Sequence, residues 1–280
     1  MPDSAERMAG AITEASQTGI SVVVNTLNEE AHLRECLASV RDLAEEVVVC
    51  DMHSDDRTVE IARDCGARVV FHERTGFVEP ARRFAISNAR CEWVLVLDAD
   101  ERMTPRLASR LLEVVQSDEC DVVAFWSLYW YFGGWVRHGG FSHGQWRRFF
   151  RKAVYMETYR ESEESVHRNF ESLLAVRRII RLPDDCHILH YAYPTVEKYV
   201  VKTVGIYARI EGEGYVRHGR RFSLLHMVGE PMKEFVVRFI LRQGFRDGMR
   251  GFVLTCLYCV YRFSVWANVW FCEKQREDRG

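Results

Sequence analysis

Residues 93–101, WVLVLDADE, decide how the chain is read. Residues 94–97 are apolar without interruption, and two carboxylates one residue apart, Asp98 and Asp100, follow at once. A short apolar run with no polar alternation, closed by a polar turn, describes a strand buried on both faces. The same arrangement recurs at residues 20–24, 46–50, 68–71 and 121–125, with helically spaced segments between them at 29–41, 55–64, 79–89 and 105–116. Strands alternating with helices predict an α/β fold: a mainly parallel, Rossmann-like sheet flanked by helices. Ligands on such sheets bind beyond the carboxyl ends of the strands. The polar clusters fall at those ends, at residues 25–30, 51–58 and 98–101.

What these clusters lack is as informative as what they hold. The first turn, NTLNEE at 25–30, has no glycine, whereas a dinucleotide fingerprint needs several there for close approach of a pyrophosphate. A Walker loop is also missing from the sequence, which argues against an ordinary P-loop kinase and leaves open a nucleotide held by side chains and a metal. Two neighbouring carboxylates repel unless something positive lies between them. Hard oxygen ligands of this kind suit Mg²⁺ or Mn²⁺. The competing interpretation is a solvated strand-to-helix turn in which an Asp or Thr104 caps the next helix.

Composition excludes other classes. A net charge of −2 exerts no general pull on nucleic acid. Nine scattered cysteines, several within apolar runs, fit a reducing cytosol better than a disulfide framework. Residues 1–19 carry early acids and no apolar signal core, and are expected to be a flexible tail.

Four segments in order, ISVVVNTLNEE, VVVCDMHSDDRTVEIA, WVLVLDADE and FGGWVRHGGF, resemble the family 2 glycosyltransferases of the GT-A fold. More narrowly they resemble the bacterial lipopolysaccharide core β-glucosyltransferase group, from about Ile20 to about Phe263. The resemblance implies that Thr26, Asn28, Glu29 and Asp51 hold the uridine of a nucleotide sugar. It implies that Asp98 and Asp100 share the ribose and a metal bridging the diphosphate, with Arg83 on the donor side. Transfer at the anomeric carbon would then invert its configuration. Two departures concern the donor: His53-Ser54 stands where the family often has Gly-Ser, and Ala81-Arg82, followed by Arg83, where Lys-Asn is common. For Arg82 and Arg83 a solvated helix face competes with a phosphate contact.

An inverting reaction needs a base for the acceptor hydroxyl. YRESEESVHRNFE, 159–171, supplies Glu163, Glu164 and His167, with Glu164 favoured and His167 a metal ligand or second base. Arg168 stands where related enzymes carry Glu, and arginine stays protonated. Residues 126–152 mix aromatics with Arg137, Arg147, Arg148, Arg151 and Lys152 and contain no acid. Such a mixture can bind single strands or sugars. The resemblance weights it to sugar, with Trp135, Arg137 and His138 as acceptor-binding residues.

From Thr195 the pattern turns helical. Residues 217–250 carry eight Arg or Lys against three acids, and residues 252–272 are apolar apart from Arg262 and Asn268. That length can span a bilayer, but a central arginine disfavours it. An interfacial helix on anionic lipid is therefore expected, with a buried helix or homo-oligomer contact as the alternative. Together these expectations describe a GT-A domain at 20–194 and a helical membrane-associating extension at 195–280. The activity expected is an inverting hexosyltransferase using a UDP-sugar, Mg²⁺ or Mn²⁺, and a lipid-linked or lipopolysaccharide core acceptor. It would be cytoplasmic, peripheral on the inner face of the cell membrane, with no nucleic-acid partner. The alternatives are a nucleotidyltransferase making nucleotide sugars, or a non-catalytic membrane-attached binding protein.

Overall fold

Strands β1 (Gln17–Thr26), β2 (Glu46–Asp51), β3 (Arg68–Phe71) and β4 (Cys91–Asp98) realise the apolar runs of the sequence. They are seen in a computed structural model that describes residues 17–74, 79–142, 145–159, 170 and 172–277. The period of two sorts their side chains onto opposite faces. Val22, Val24, Val49, Leu95 and Leu97 join one core, with Leu33 and Leu37 of the helix Leu33–Ser39 and Leu107 and Leu111 of the helix Pro105–Ser117. Val23, Val48, Cys50, Val94 and Val96 join a second core, with Ala81, Ala85 and Ile86 of the helix Glu79–Asn88. Helices cover both faces, which is why these strands show no polar alternation.

Parallel pairing sets what lies beside what. β1 sits between β2 and β4, and its register places Thr26 opposite Asp51 and Asn25 opposite Asp98. The sheet then changes direction. Strands β5 (Glu101–Met103), β6 (Val122–Tyr131) and β7 (Gly134–Val136) follow, and β8 (Trp146–Arg151) runs antiparallel both to β4 and to β6, giving the order β3-β2-β1-β4-β8-β6 and a mixed sheet. Its sequence, WRRFFR, reads as a basic acceptor-facing stretch, but Phe149 and Phe150 are fully buried. Thr104 does cap the helix Pro105–Ser117, accepting from Leu107 N at 3.4 Å while its hydroxyl donates to the His187 carbonyl at 2.6 Å.

The chain divides into two compact units: residues up to Trp126 with 145–188, and residues 127–144 with Leu189 onward. The expected contiguous domain at 20–194 differs from this grouping at 127–144 and at 189–194. That segment is tied to the second unit by its backbone: Arg137 N and His138 N donate to Asp247 at 3.1 and 2.8 Å, and Gly139 N donates to the Arg242 carbonyl at 2.8 Å. β1 starts at Gln17, within the segment expected to be a tail, and residues 1–16 lie outside the described residues.

The second unit is otherwise helical. A run from Val196 to Arg217, π-helical over Val200–Tyr207, is capped by the Thr195 hydroxyl, which accepts from Lys198 N. Next comes Leu224–Phe235 with a π-helical continuation, Val236–Leu241, and then the long helix Gly248–Glu277. This last segment is long and apolar enough to cross a membrane by length and composition alone. Arg262 on it is turned inward, onto Glu211 at 2.6 Å, Glu230 at 2.5 Å and the Tyr215 hydroxyl at 3.0 Å.

Candidate active site

At the carboxyl ends of β1 and β2, two loops are stitched together. Asp51, fully buried, accepts from the Thr26 hydroxyl at 3.0 Å, from Ser54 N at 2.8 Å and from the Ser54 hydroxyl at 2.6 Å. Asn28 N donates to Ser54 Oγ at 2.8 Å, and Asn28 Oδ1 accepts from Asp55 N at 2.8 Å. Glu29 N donates to Thr58 Oγ1 at 2.8 Å. Asn28 can serve here because it holds φ +58°, a left-handed conformation that asparagine tolerates better than most residues. His53 has φ +60°, which gives a physical reason why glycine would suit that place, and its ring stacks on Phe71 at 5.4 Å. Thr26, Asn28, Glu29 and Asp51 are thus brought together.

The end of β4 answers how neighbouring acids coexist. Asp98 Oδ1 accepts from Arg82 at 2.7 Å, and Oδ2 faces Arg148 at 3.2 Å. Arg148 also grips both oxygens of Glu101, at 2.8 and 2.7 Å, and Glu101 accepts from Asp98 N at 2.8 Å. Glu101 is fully buried, Arg82 is 4% exposed and Arg148 9%. Two guanidiniums thus offset two carboxylates, the pairing that burying charge requires, while Arg82 Nε has no hydrogen-bond partner among the described residues. Arg82 is not a solvated helix residue.

Asp100 lies half-buried in the turn that follows β4. Beside Asp98 in register, Asn25 is 6% exposed, and its side-chain amide has no protein partner among the described residues. An orphaned buried amide fits a place where a ligand completes the hydrogen bonding. The acids present are hard oxygen donors, and a carboxylate oxygen can accept from more than one partner. The set therefore fits a divalent cation sharing its coordination with phosphate oxygens. Among the described residues no three His, Cys, Asp or Glu side chains gather as a complete protein cage.

The remaining expected residues are placed as follows. Arg83 lies over the Tyr159 ring at 4.3 Å. Glu163, Glu164, His167 and Arg168 lie outside the described residues. Trp135, Arg137 and His138 belong to the second unit. There His138 Nδ1 is 3.0 Å from Asp247 Oδ1, and Trp135 packs edge-on against Trp130 and Tyr191 at 5.0 and 5.3 Å. Of the bases in 126–152, three serve the first unit's own structure. Arg148 holds Asp98 and Glu101, Arg151 pairs with Glu92 and Asp118, and Lys152 donates to the Ala89 carbonyl at 2.5 Å.

Sequence reasoning missed Glu101 and Arg148 as site residues. One signal was available for Glu101, since a third acid directly after the carboxylate pair demands a cation. Nothing in the spacing of residues 98 and 148 announces their meeting, which depends on β8 pairing with β4.

Comparison with known proteins agrees with this architecture. Residues 21–178 match the profile of glycosyl transferase family 2. An uncharacterized glycosyltransferase of Rickettsia typhi is 25% identical over 251 residues, which cover 87% of this chain and 84% of that protein. The lipopolysaccharide core biosynthesis glycosyltransferase LpsC of Rhizobium meliloti is 24% identical over 275 residues, covering 90% and 92%. Among solved structures, S. aureus TarS 1–349 in complex with UDP aligns with a TM-score of 0.52 at 20% identity, over 94% of this chain and 92% of that one.

Proposed function

The chain belongs to glycosyl transferase family 2, and we propose that it moves a hexose, with inversion, from a UDP-sugar to a sugar hydroxyl of a lipid-linked or lipopolysaccharide core acceptor. The observation that carries this proposal is the joined end of β1, β2 and β4, where Thr26, Asp51, Asp98 and the unpartnered Asn25 amide adjoin. A nucleoside fits such a polar ledge better than a sugar phosphate alone, because it needs fixed acceptors and donors at several strand ends. The UDP bound by TarS supports a uridine donor, and the likeness to LpsC supports a lipopolysaccharide acceptor.

Each group has a stated task. Asp51, locked by Thr26 and Ser54, presents an oriented carboxylate to the nucleoside. Arg82 and Arg148 fix the rotamer of Asp98 toward the ribose and diphosphate. A divalent cation held by Asp100 and Asp98 would supply charge stabilisation to the departing diphosphate. Glu164 accepts the proton of the attacking hydroxyl, with Glu163 and His167 as the alternatives in that stretch. Trp135, Arg137 and His138 bind the acceptor, and Asp247 sets the His138 ring so that its other nitrogen faces away from that carboxylate. The enzyme works at the cytoplasmic face of the cell membrane, where nucleotide sugars and lipid-linked acceptors meet.

A panel of nucleotide sugars, assayed for transfer or hydrolysis with Mn²⁺ or Mg²⁺ and with a chelator, tests the proposal. UDP-hexoses should turn over only with the metal present. Release of pyrophosphate from a nucleoside triphosphate and a sugar phosphate would instead establish a nucleotidyltransferase.

A further inference from the structure

Helix Leu224–Phe235 and its continuation Val236–Leu241 pack one side against the helix Gly248–Glu277. His226 stacks on Trp266 at 5.0 Å, Glu230 reaches Arg262 at 2.5 Å, and Phe239 meets Phe252 at 5.5 Å. The opposite side is apolar as well. Leu224, Val228, Met232, Val236 and Ile240 recur at every fourth position and are 64, 48, 66, 46 and 53% exposed. That spacing sets them in a row along the helix. Leu241, Phe245 and Met249 carry the exposed apolar surface onward, at 68, 52 and 74%. A protein surface meant for water does not carry a contiguous apolar strip of this length.

Charge tells what covers the row. The three acids of residues 217–250 all face inward partners: Glu230 holds Arg262, Glu234 holds Arg238 at 2.8 Å, and Asp247 holds His138 at 3.0 Å. Exposed arginines stand at both ends of the row, Arg220 and Arg221 before it and Arg242 and Arg246 after it. A second copy related by a twofold axis would lie parallel or antiparallel to the row. Either arrangement sets arginines against arginines, which repel. An anionic bilayer neutralises both ends at once.

We infer that the row from Leu224 to Ile240, with Leu241, Phe245 and Met249, is an in-plane insertion face that docks this protein on an anionic lipid surface. The helix Gly248–Glu277, to which the sequence assigns the insertion, adds Met249 at its start and otherwise backs this face, with Arg262 fastened to the neighbouring helices. This inference is independent of the donor and acceptor proposed above, because it would hold for any reaction carried out beside a membrane.

Co-sedimentation of the full-length protein with phosphatidylcholine vesicles, with and without phosphatidylglycerol, tests it. Binding should need the anionic lipid and weaken as salt rises. Val228→Asp with Met232→Asp should lower partitioning at least ~10-fold, the loss expected from two buried apolar side chains. Both sites are exposed, so the circular dichroism and Tm should not change. Arg242→Gln with Arg246→Gln should weaken binding about fivefold per residue. Trp270→Gln, on the supporting helix, should bind like the wild type. The inference is overturned by undiminished binding of the Val228→Asp, Met232→Asp protein, or by equal affinity for neutral and anionic vesicles. Carbonate-resistant retention would overturn it in favour of a spanning helix. A vesicle-indifferent dimer that the double variant dissociates would overturn it in favour of a second copy.

Discussion

In the first unit Val22, Val23 and Val24 are fully buried, and the charges inside, Glu101, Arg82 and Arg148, are linked through Asp98 at the carboxyl end of β4. In the second unit Leu225, Met232 and Met249 are 81, 66 and 74% exposed, while Arg262 sits inward between Glu211 and Glu230. Both units bury arginine with two carboxylates, but the surroundings differ. In one the ionic network holds Asp98, the side chain proposed to meet the nucleotide sugar. In the other it fastens helices whose outer surface is apolar. Inward charge is therefore no sign of chemistry by itself; the strand-end position of Asp98 is what separates the two cases.

The largest expected effect comes from Arg148→Met. It leaves fully buried Glu101 without its cation and should destabilise the protein by about 3–5 kcal/mol, read from urea unfolding. Transfer should fall with it, because Asp98 loses one of its two guanidinium partners. A variant as stable as the wild type would show that the network is dispensable to the fold.

Arg262→Met makes the same cut in the second unit. Glu211 and Glu230 keep some contact with water, so the loss should lie at the lower end, about 3 kcal/mol. Transfer per folded molecule should stay near wild type when the acceptor is soluble. A selective loss of turnover instead would erase the contrast between a catalytic and a structural network.

Glu164→Gln keeps the side chain's size and should preserve donor binding while slowing transfer by ~10²-fold, the usual weight of a general base. A larger loss for Glu163→Gln or His167→Ala would move the role to that residue.

The smallest effect concerns pH. Burial works to raise the Glu211 and Glu230 carboxyls, but hydrogen bonds from Tyr261 and Arg262 on Glu211 and from Arg262 on Glu230 outweigh it, and both end below the ordinary glutamate value. A carboxyl depressed in the folded state contributes stability in full above its unfolded pKa and loses it as pH falls through the folded one. Thermal unfolding should therefore move to lower temperature as pH drops below about 4.5, and Arg262→Met should flatten that part of the drop.

The parallel half of the sheet was legible because each of its strands holds at least three consecutive apolar residues. Residues 68–71 fall on β3 as read, and 93–97 lie inside β4. The antiparallel strand β8 was hidden by Arg147, Arg148 and Arg151, whose charge mimics a solvated loop. Arg148 is buried only because Glu101 and Asp98 await it, a pairing 47 residues apart that no local pattern encodes. Thr26, Asp51 and Asp98 were legible from their place after strands. Arg82 was not, since one helical turn looks alike whether it meets water or a carboxylate. In the second unit helices were legible, but which of them turns its apolar side outward was not. Residues 224–241 and 252–272 are both apolar and basic-flanked, and only packing shows which side each buries.

Calorimetric titration of UDP into wild type and Asp100→Ala, with and without Mn²⁺, tests the central claim most directly. Asp100 is half-buried in the turn after β4, so the variant should keep the fold, checked by its circular dichroism and Tm. Wild type should bind UDP tightly only with the cation, and Asp100→Ala should lose that metal-dependent gain, with transfer reduced at least ~10²-fold as several kcal/mol of charge stabilisation disappear. Metal-dependent UDP binding in Asp100→Ala equal to wild type, with near-native turnover at saturating donor, would contradict the account.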